Sequence, residues 1–134
     1  MSDLMELEVA TPERLLVREE VAEVQVPGKD GYLGILPGHA PLLGLLGTGF
    51  LTYTAGSHKR YLSINGGFLE VLPDHVRVLA DTAERAEEID VERAKAAFKR
   101  AQDRVMNPSI GIDPAAALNA LMRAQARIEA AENK

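Results

Sequence analysis

The sequence predicts an α+β chain in two parts. Residues 1–85 read as an N-terminal β-sandwich of about ten short strands, and residues 86–134 as a C-terminal antiparallel α-helical hairpin. Two compositional observations carry this reading. Ten of the eleven glycines, all three tyrosines and all three histidines precede residue 86, whereas thirteen alanines follow residue 85. Residues 1–85 hold 7 Lys/Arg against 12 Asp/Glu and residues 86–134 hold 8 of each, so the net charge of −5 sits in the first part. Glycine-rich alternating segments make strands and turns. Alanine-rich, charge-balanced segments make helix.

Period-2 alternation recurs through the first part. Met5, Leu7 and Val9 share one face, with Glu6 and Glu8 opposite. Ala22, Val24 and Val26 alternate with Glu23 and Gln25, and residues 50–54, 60–64, 68–72 and 76–80 follow. Turn signals divide them: Thr11-Pro12, Pro27-Gly28-Lys29-Asp30-Gly31, Gly47-Thr48-Gly49, Ala55-Gly56-Ser57, Asn65-Gly66-Gly67 and Pro73-Asp74. Residues 31–43 read Gly-Tyr-Leu-Gly-Ile-Leu-Pro-Gly-His-Ala-Pro-Leu-Leu. Three glycines and two prolines exclude a helix there. The segment predicts a strand, a rigid loop bearing His39, and a second strand. Such a bend suits a partner-facing surface presenting Tyr32, His39 and Leu43, because a rigid loop loses little entropy on docking.

In the second part, Asp90 is the expected N-cap of a helix running to about Met106. Val91, Ala94, Phe98, Ala101 and Val105 form its apolar stripe, and Asn107-Pro108 ends it. Asp113-Pro114 opens the second helix, with Leu118, Leu121, Gln125 and Ile128 as its stripe. The short connection makes the helices neighbours. Thin, alanine-dominated stripes bury little area, so two arrangements stay open: a fixed appendage on the sandwich, or a hairpin that opens and docks elsewhere.

Several chemistries are absent. There is no cysteine, and His39, His58 and His75 lie far apart, so no metal site is expected. No phosphate-loop, dinucleotide or serine-hydrolase motif occurs. The carboxylates, Glu87-Glu88 among them, read as solvated faces. His39 lacks a nameable catalytic partner, so a catalytic site is not expected. The acidic balance disfavours nucleic acid. No apolar run approaches the ~20 residues of a membrane span.

One cluster stands out. Arg93 and Arg100 are seven residues apart, and Arg123 and Arg127 four apart, so each pair shares a helix face. In an antiparallel hairpin the two pairs fall at neighbouring levels. They then either surround an anion such as a polyphosphate, or point to solvent and pair with Glu92, Glu129 or Asp103. The residues alone favour the second arrangement.

The chain resembles the epsilon-subunit family of the F-type ATP synthases along essentially its whole length. The resemblance rests on Leu33-Gly34-Ile35-Leu36-Pro37-Gly38-His39-Ala40-Pro41-Leu42, Asn65-Gly66-Gly67-Phe68 followed by Leu69-Glu70-Val71, Val78-Leu79-Ala80-Asp81, and the helical hairpin. It implies a non-catalytic rotor subunit of the F1 central stalk. The sandwich would couple the c-ring to the gamma subunit. The hairpin would switch between a compact state and an extended state that meets the alpha and beta subunits and inhibits ATP hydrolysis. The implied location is peripheral, on the cytoplasmic side of a bacterial cell membrane, ahead of the plastid thylakoid.

In some bacterial members an Ile/Leu-Asp-x-x-Arg-Ala motif binds ATP in the compact state. Ile89-Asp90-Val91-Glu92-Arg93-Ala94 matches every fixed position. The resemblance thus implies a nucleotide set of Glu84, Ile89, Asp90, Arg93, Ala94, Arg100, Arg123 and Arg127, with ATP as a regulatory ligand and no required cofactor. The competing expectation is a stand-alone β-sandwich nucleotide sensor or adaptor.

Overall fold

Strands β1 (Met5–Ala10), β2 (Leu15–Val21), β3 (Glu23–Gly28), β4 (Gly31–Ile35), β5 (Leu42–Ala55), β6 (His58–Leu72) and β7 (His75–Arg85) precede a 3₁₀ turn (Ala86–Glu88) and helices α1 (Val91–Met106) and α2 (Pro114–Glu132). The computed structural model describes residues 3–107, 111 and 113–133. The strands form one hydrogen-bonded sheet in the order β2-β1-β7-β6-β5-β3-β4. Neighbours are antiparallel except β1 and β7, which run parallel.

The sandwich holds, but it has seven strands among the described residues, not about ten. Two expected turns lie inside long strands. Gly47-Thr48-Gly49 belongs to β5, and Asn65-Gly66-Gly67 belongs to β6. The strand β2 escaped the alternation test because Leu15-Leu16-Val17-Arg18-Glu19-Glu20-Val21 does not alternate.

The glycines inside β5 and β6 are where the sheet folds over. Buried apolar residues of β5 pass from even (Leu46) to odd (Leu51, Tyr53) positions. Those of β6 pass from even (Leu62, Ile64) to odd (Leu69, Val71). In β7, Val76, Val78 and Ala80 are buried, and Ala83 then packs on the same core. A period-2 strand changes its buried face only through a bend or irregularity. The changes are aligned, since Gly67 stands opposite both Leu46 and Ala80. Three adjacent strands therefore turn one corner together, and the two halves enclose one core. Gly67 has φ +119°, and a Cβ there would strike the Leu79 carbonyl oxygen and lie 2.8 Å from Ala80 Cα. Only glycine fits.

Both helices start where expected. Asp90 accepts from the Arg93 amide at 3.1 Å, and Asp113 from the Ala115 amide at 3.0 Å, with Pro114 in the first turn. The stop signal Pro108 lies outside the described residues. Helix α2 lies against β5 and β6, and α1 packs on α2. The buried face of α2 differs from the expected one. Leu118 and Gln125 are exposed, and Leu121 and Ile128 are only half-buried. The buried residues are Ala117, Ala124, Ala126, Ala130 and Ala131, and in α1 they are Ala94 and Ala101, while Val105 is exposed. Alanine lets backbones approach closely, and the larger side chains flank the seam. Ile89, Ala94, Ala130 and Ala131 form a small second core against Phe50 and Tyr61 of the sheet.

Candidate functional site

The end of β7, the 3₁₀ turn and the two helices border an open cavity of about 460 Å³, with Glu88, Asp90, Arg93 and Arg100 exposed. It is lined by Glu84, Glu88, Ile89, Asp90, Arg93, Ala94, Ala97, Arg100 and Arg127. Seven of the eight residues of the expected nucleotide set are among these. Each arrives by a separate local cause. Glu84 ends a strand, Asp90 caps α1, and Arg93 and Arg100 follow at helical spacing. Arg127 reaches the cavity because α2 returns along the sheet. Ile89 and Ala94 are buried and form a wall.

Arg123 departs from the expected cluster of four. It lines an adjoining recess with Ser63, Asn65, Thr82 and Ala126, which shares Glu84 and Arg127 with the main cavity. Arg93 and Arg100 are exposed, as the solvated arrangement has it, but the pairings expected with it differ. Arg127 donates from Nε to Glu84 at 2.6 Å, and among the described residues no ion pair joins Arg93, Arg100 or Arg123 to Glu92, Glu129 or Asp103.

Each carboxylate of the cavity is already engaged. Glu84 holds Arg127. Asp90 is fixed to the start of α1. Glu88 receives two bonds from Arg14, at 2.7 and 3.0 Å, and one from the Arg85 amide at 3.0 Å. The Arg14 guanidinium holds the Glu88 carboxyl below the usual carboxylate range. Arg93 and Arg100 have no ion-pair partner among the described residues. The cavity thus presents two uncommitted guanidiniums beside a helix N-terminus, an arrangement that binds phosphate oxygens well. Glu88 and Ala97 were not expected here. The Glu87-Glu88 pair reads locally as a solvated face, and Arg14 lies 74 residues from Glu88.

The three residues expected at a partner surface do not form one cluster. Leu43 is 79% exposed and lines a groove of about 500 Å³ with Leu45, Phe68 and Leu79. Leu45, Phe68 and Leu79 stand side by side across β5, β6 and β7, and Phe68 is 63% exposed. Glu70 and Arg77, 3.6 Å apart, lie along the same groove. Tyr32 meets Leu43 in a second groove of about 440 Å³ beside the β3–β4 turn. Its ring packs 5.3 Å from that of Phe50, and its hydroxyl accepts from the Phe50 amide at 3.2 Å. Burial, then the nearby Glu129 charge, pushes the Tyr32 phenol up. His39 lies outside both grooves, with Nδ1 2.6 Å from the Ala40 carbonyl oxygen.

No helix among the described residues is long and apolar enough to cross a membrane. Two family models cover the chain. "ATP synthase, Delta/Epsilon chain, beta-sandwich domain" matches residues 4–86, and "ATP synthase, Delta/Epsilon chain, long alpha-helix domain" matches residues 87–132. The ATP synthase epsilon chain of Solibacter usitatus is 68% identical over 134 residues, covering 100% of both chains. That of Moorella thermoacetica is 48% identical over 128 residues, covering 95% of this chain and 96% of its own. Among solved structures, a chain of the Euglena gracilis mitochondrial ATP synthase, OSCP/F1/c-ring in rotational state 1, matches with a TM-score of 0.83. The identity is 26%, over 98% of this chain and 83% of that one. With both parts of the chain matched, and a relative alike from end to end, this chain belongs to the ATP synthase epsilon-chain family.

Proposed function

We propose that the chain is a non-catalytic central-stalk subunit of an F-type ATP synthase. Its sandwich links the gamma subunit to the c-ring, and its hairpin regulates ATP hydrolysis according to ATP level. The observation that carries the stalk role is the 68% identity to an ATP synthase epsilon chain over the full length of both proteins. The exposed row Leu45, Phe68 and Leu79 on three adjacent strands supports a protein-facing surface on the sandwich. In this reading the complex sits peripherally on the cytoplasmic side of a bacterial membrane, and the chain reaches the membrane only through its partners.

The cavity between hairpin and sheet supports the regulatory part. It forms only while the hairpin lies on the sandwich, since Glu84 comes from β7 and Arg127 from α2. A nucleotide bound there by its phosphates stabilises the compact hairpin by linkage. The compact state is the one that permits hydrolysis, and loss of ATP releases the hairpin to its extended, inhibitory position against the alpha and beta subunits.

Two measurements test this. The tagged chain, expressed in its source cell, captures the gamma subunit and the c-ring. Failure to capture either overturns the stalk role. Calorimetric titration of ATP into the isolated chain gives saturable binding. Absence of heat at millimolar ATP overturns the nucleotide-sensing part and leaves the stalk role standing.

A further inference from the structure

Six charged side chains line the cavity, Glu84, Glu88 and Asp90 against Arg93, Arg100 and Arg127, so the lining has no net charge. A site that receives a polyphosphate needs its carboxylates neutralised. Arg127 does this for Glu84, and the α1 N-terminus for Asp90. Glu88 has no such partner inside the cavity. Its partners stand outside the lining: Arg14, at 2.7 Å, from a turn distant in sequence, and more loosely Arg85, at 3.5 Å. Arg14 stands on the β1–β2 turn, which is closed by the Thr11 amide donating to the Arg14 carbonyl at 2.9 Å. Thr11 Oγ1 also accepts from the Glu13 and Arg14 amides, both at 3.3 Å. The turn is therefore held by its own hydrogen bonds, independently of the 3₁₀ turn that carries Glu88. Glu88 is preset as well, because its carboxylate already takes the Arg85 amide. Two rigid pieces meet in a bidentate pair.

We propose that Arg14 is a positioning residue for the anion site. By binding the Glu88 carboxylate it draws one negative charge away from the space where phosphates sit. This inference rests on the nucleotide reading of the cavity. Neither side chain belongs to the core; they are 42% and 34% exposed. Loss of the pair leaves the sandwich folded. Without Arg14, the Glu88 carboxylate keeps only the looser Arg85 pair, at 3.5 Å, and more of its charge faces the incoming anion. Partial exposure and salt screening limit the effect to about two- to fivefold in affinity.

The test titrates ATP, and separately inorganic tripolyphosphate, into the full chain and three variants. Arg14→Gln weakens both ligands about two- to fivefold. Glu88→Gln binds both at least as tightly as the unmodified chain. The double variant returns to the unmodified affinity, because the carboxylate that Arg14 masks is gone. If the pair is only a mechanical clamp on the linker, Glu88→Gln and the double variant weaken binding as Arg14→Gln does, and the proposal is overturned. Unchanged affinity in Arg14→Gln, or a loss seen with ATP and not with tripolyphosphate, also overturns it. Absence of ATP binding in the unmodified chain removes the nucleotide reading itself, and this inference with it.

Discussion

Arg127 on α2 donates from its Nε to Glu84 at the end of β7, 2.6 Å away. Among the described residues it is the one side-chain hydrogen bond that ties the two helices to the sheet. The pair is partly exposed, so it contributes about 0–1 kcal/mol to docking. It also holds the Arg127 guanidinium on the lining of the cavity.

ATP should raise the melting temperature of the isolated chain. At a hundredfold excess over Kd the linkage is about 2.7 kcal/mol. Arg93→Ala and Arg127→Ala should each abolish the rise while leaving the melting temperature without ATP nearly unchanged. A full ATP shift in either variant, followed by scanning fluorimetry, would refute the assignment of these arginines to phosphate.

Residues 1–88 should fold alone. The large core draws every buried member from residues 5–80 and includes no helix residue. Ending at 88 retains Arg14–Glu88 and the two bonds from Arg85 to the Leu16 carbonyl, at 3.1 and 2.7 Å. Urea unfolding of this fragment should stay cooperative. A non-cooperative transition would mean that the hairpin is part of the sandwich's folding unit.

Gly67→Ala should destabilise the chain by about 3 kcal/mol or more, since it adds a strained φ to a backbone collision. Gly34→Ala, where nothing lies within 4 Å of the new Cβ, should cost far less. Denaturant midpoints of the two variants give the comparison. Equal midpoints would remove the corner argument.

Burial, and next the Glu19 charge, push the Tyr53 phenol up to about 12 from 10.0. A raised pKa in the folded state means that the native protein holds this proton more tightly than the unfolded chain. The corresponding stability is complete below pH 10 and is lost as pH rises toward 12, with a slope of at most about 1.4 kcal/mol per pH unit. Tyr53→Phe should flatten the alkaline fall in melting temperature between pH 10 and 12. An unchanged slope in that variant would mean that another group controls the alkaline limb.

Phe68→Ala and Leu43→Ala should leave the isolated chain's stability within about 0.5 kcal/mol, because both side chains are largely exposed. Each should weaken capture of the gamma subunit. His39→Ala should also spare the isolated fold while weakening assembly. Loss of several kcal/mol in the isolated chain would make His39 a packing residue instead.

The helix starts were legible because a cap is a local event. Asp90 and Asp113 each need only the next few amides. The corner was not legible, since a glycine pair between apolar runs signals a turn and a long bent strand equally well. What decides between them is pairing with β5 and β7, far away in sequence. That seven of the motif-derived residues would meet at one cavity was legible, yet Glu88 was hidden because its partner Arg14 belongs to a distant turn. The α2 seam was misread for a related reason. Hydrophobicity ranks Leu118 and Ile128 above alanine, but close approach of two backbones selects the smaller side chain.

Three strands pass the corner of the sandwich without a break, and this has a mechanical meaning. A torque applied to one layer travels to the other along covalent backbone and the ladder between β5, β6 and β7. It need not rely on side-chain packing alone. Two sheets joined only by loops would pass that load through their packed core and the loops. Here the layers share their longest strands, so the sandwich resists torsion as a single stiff piece.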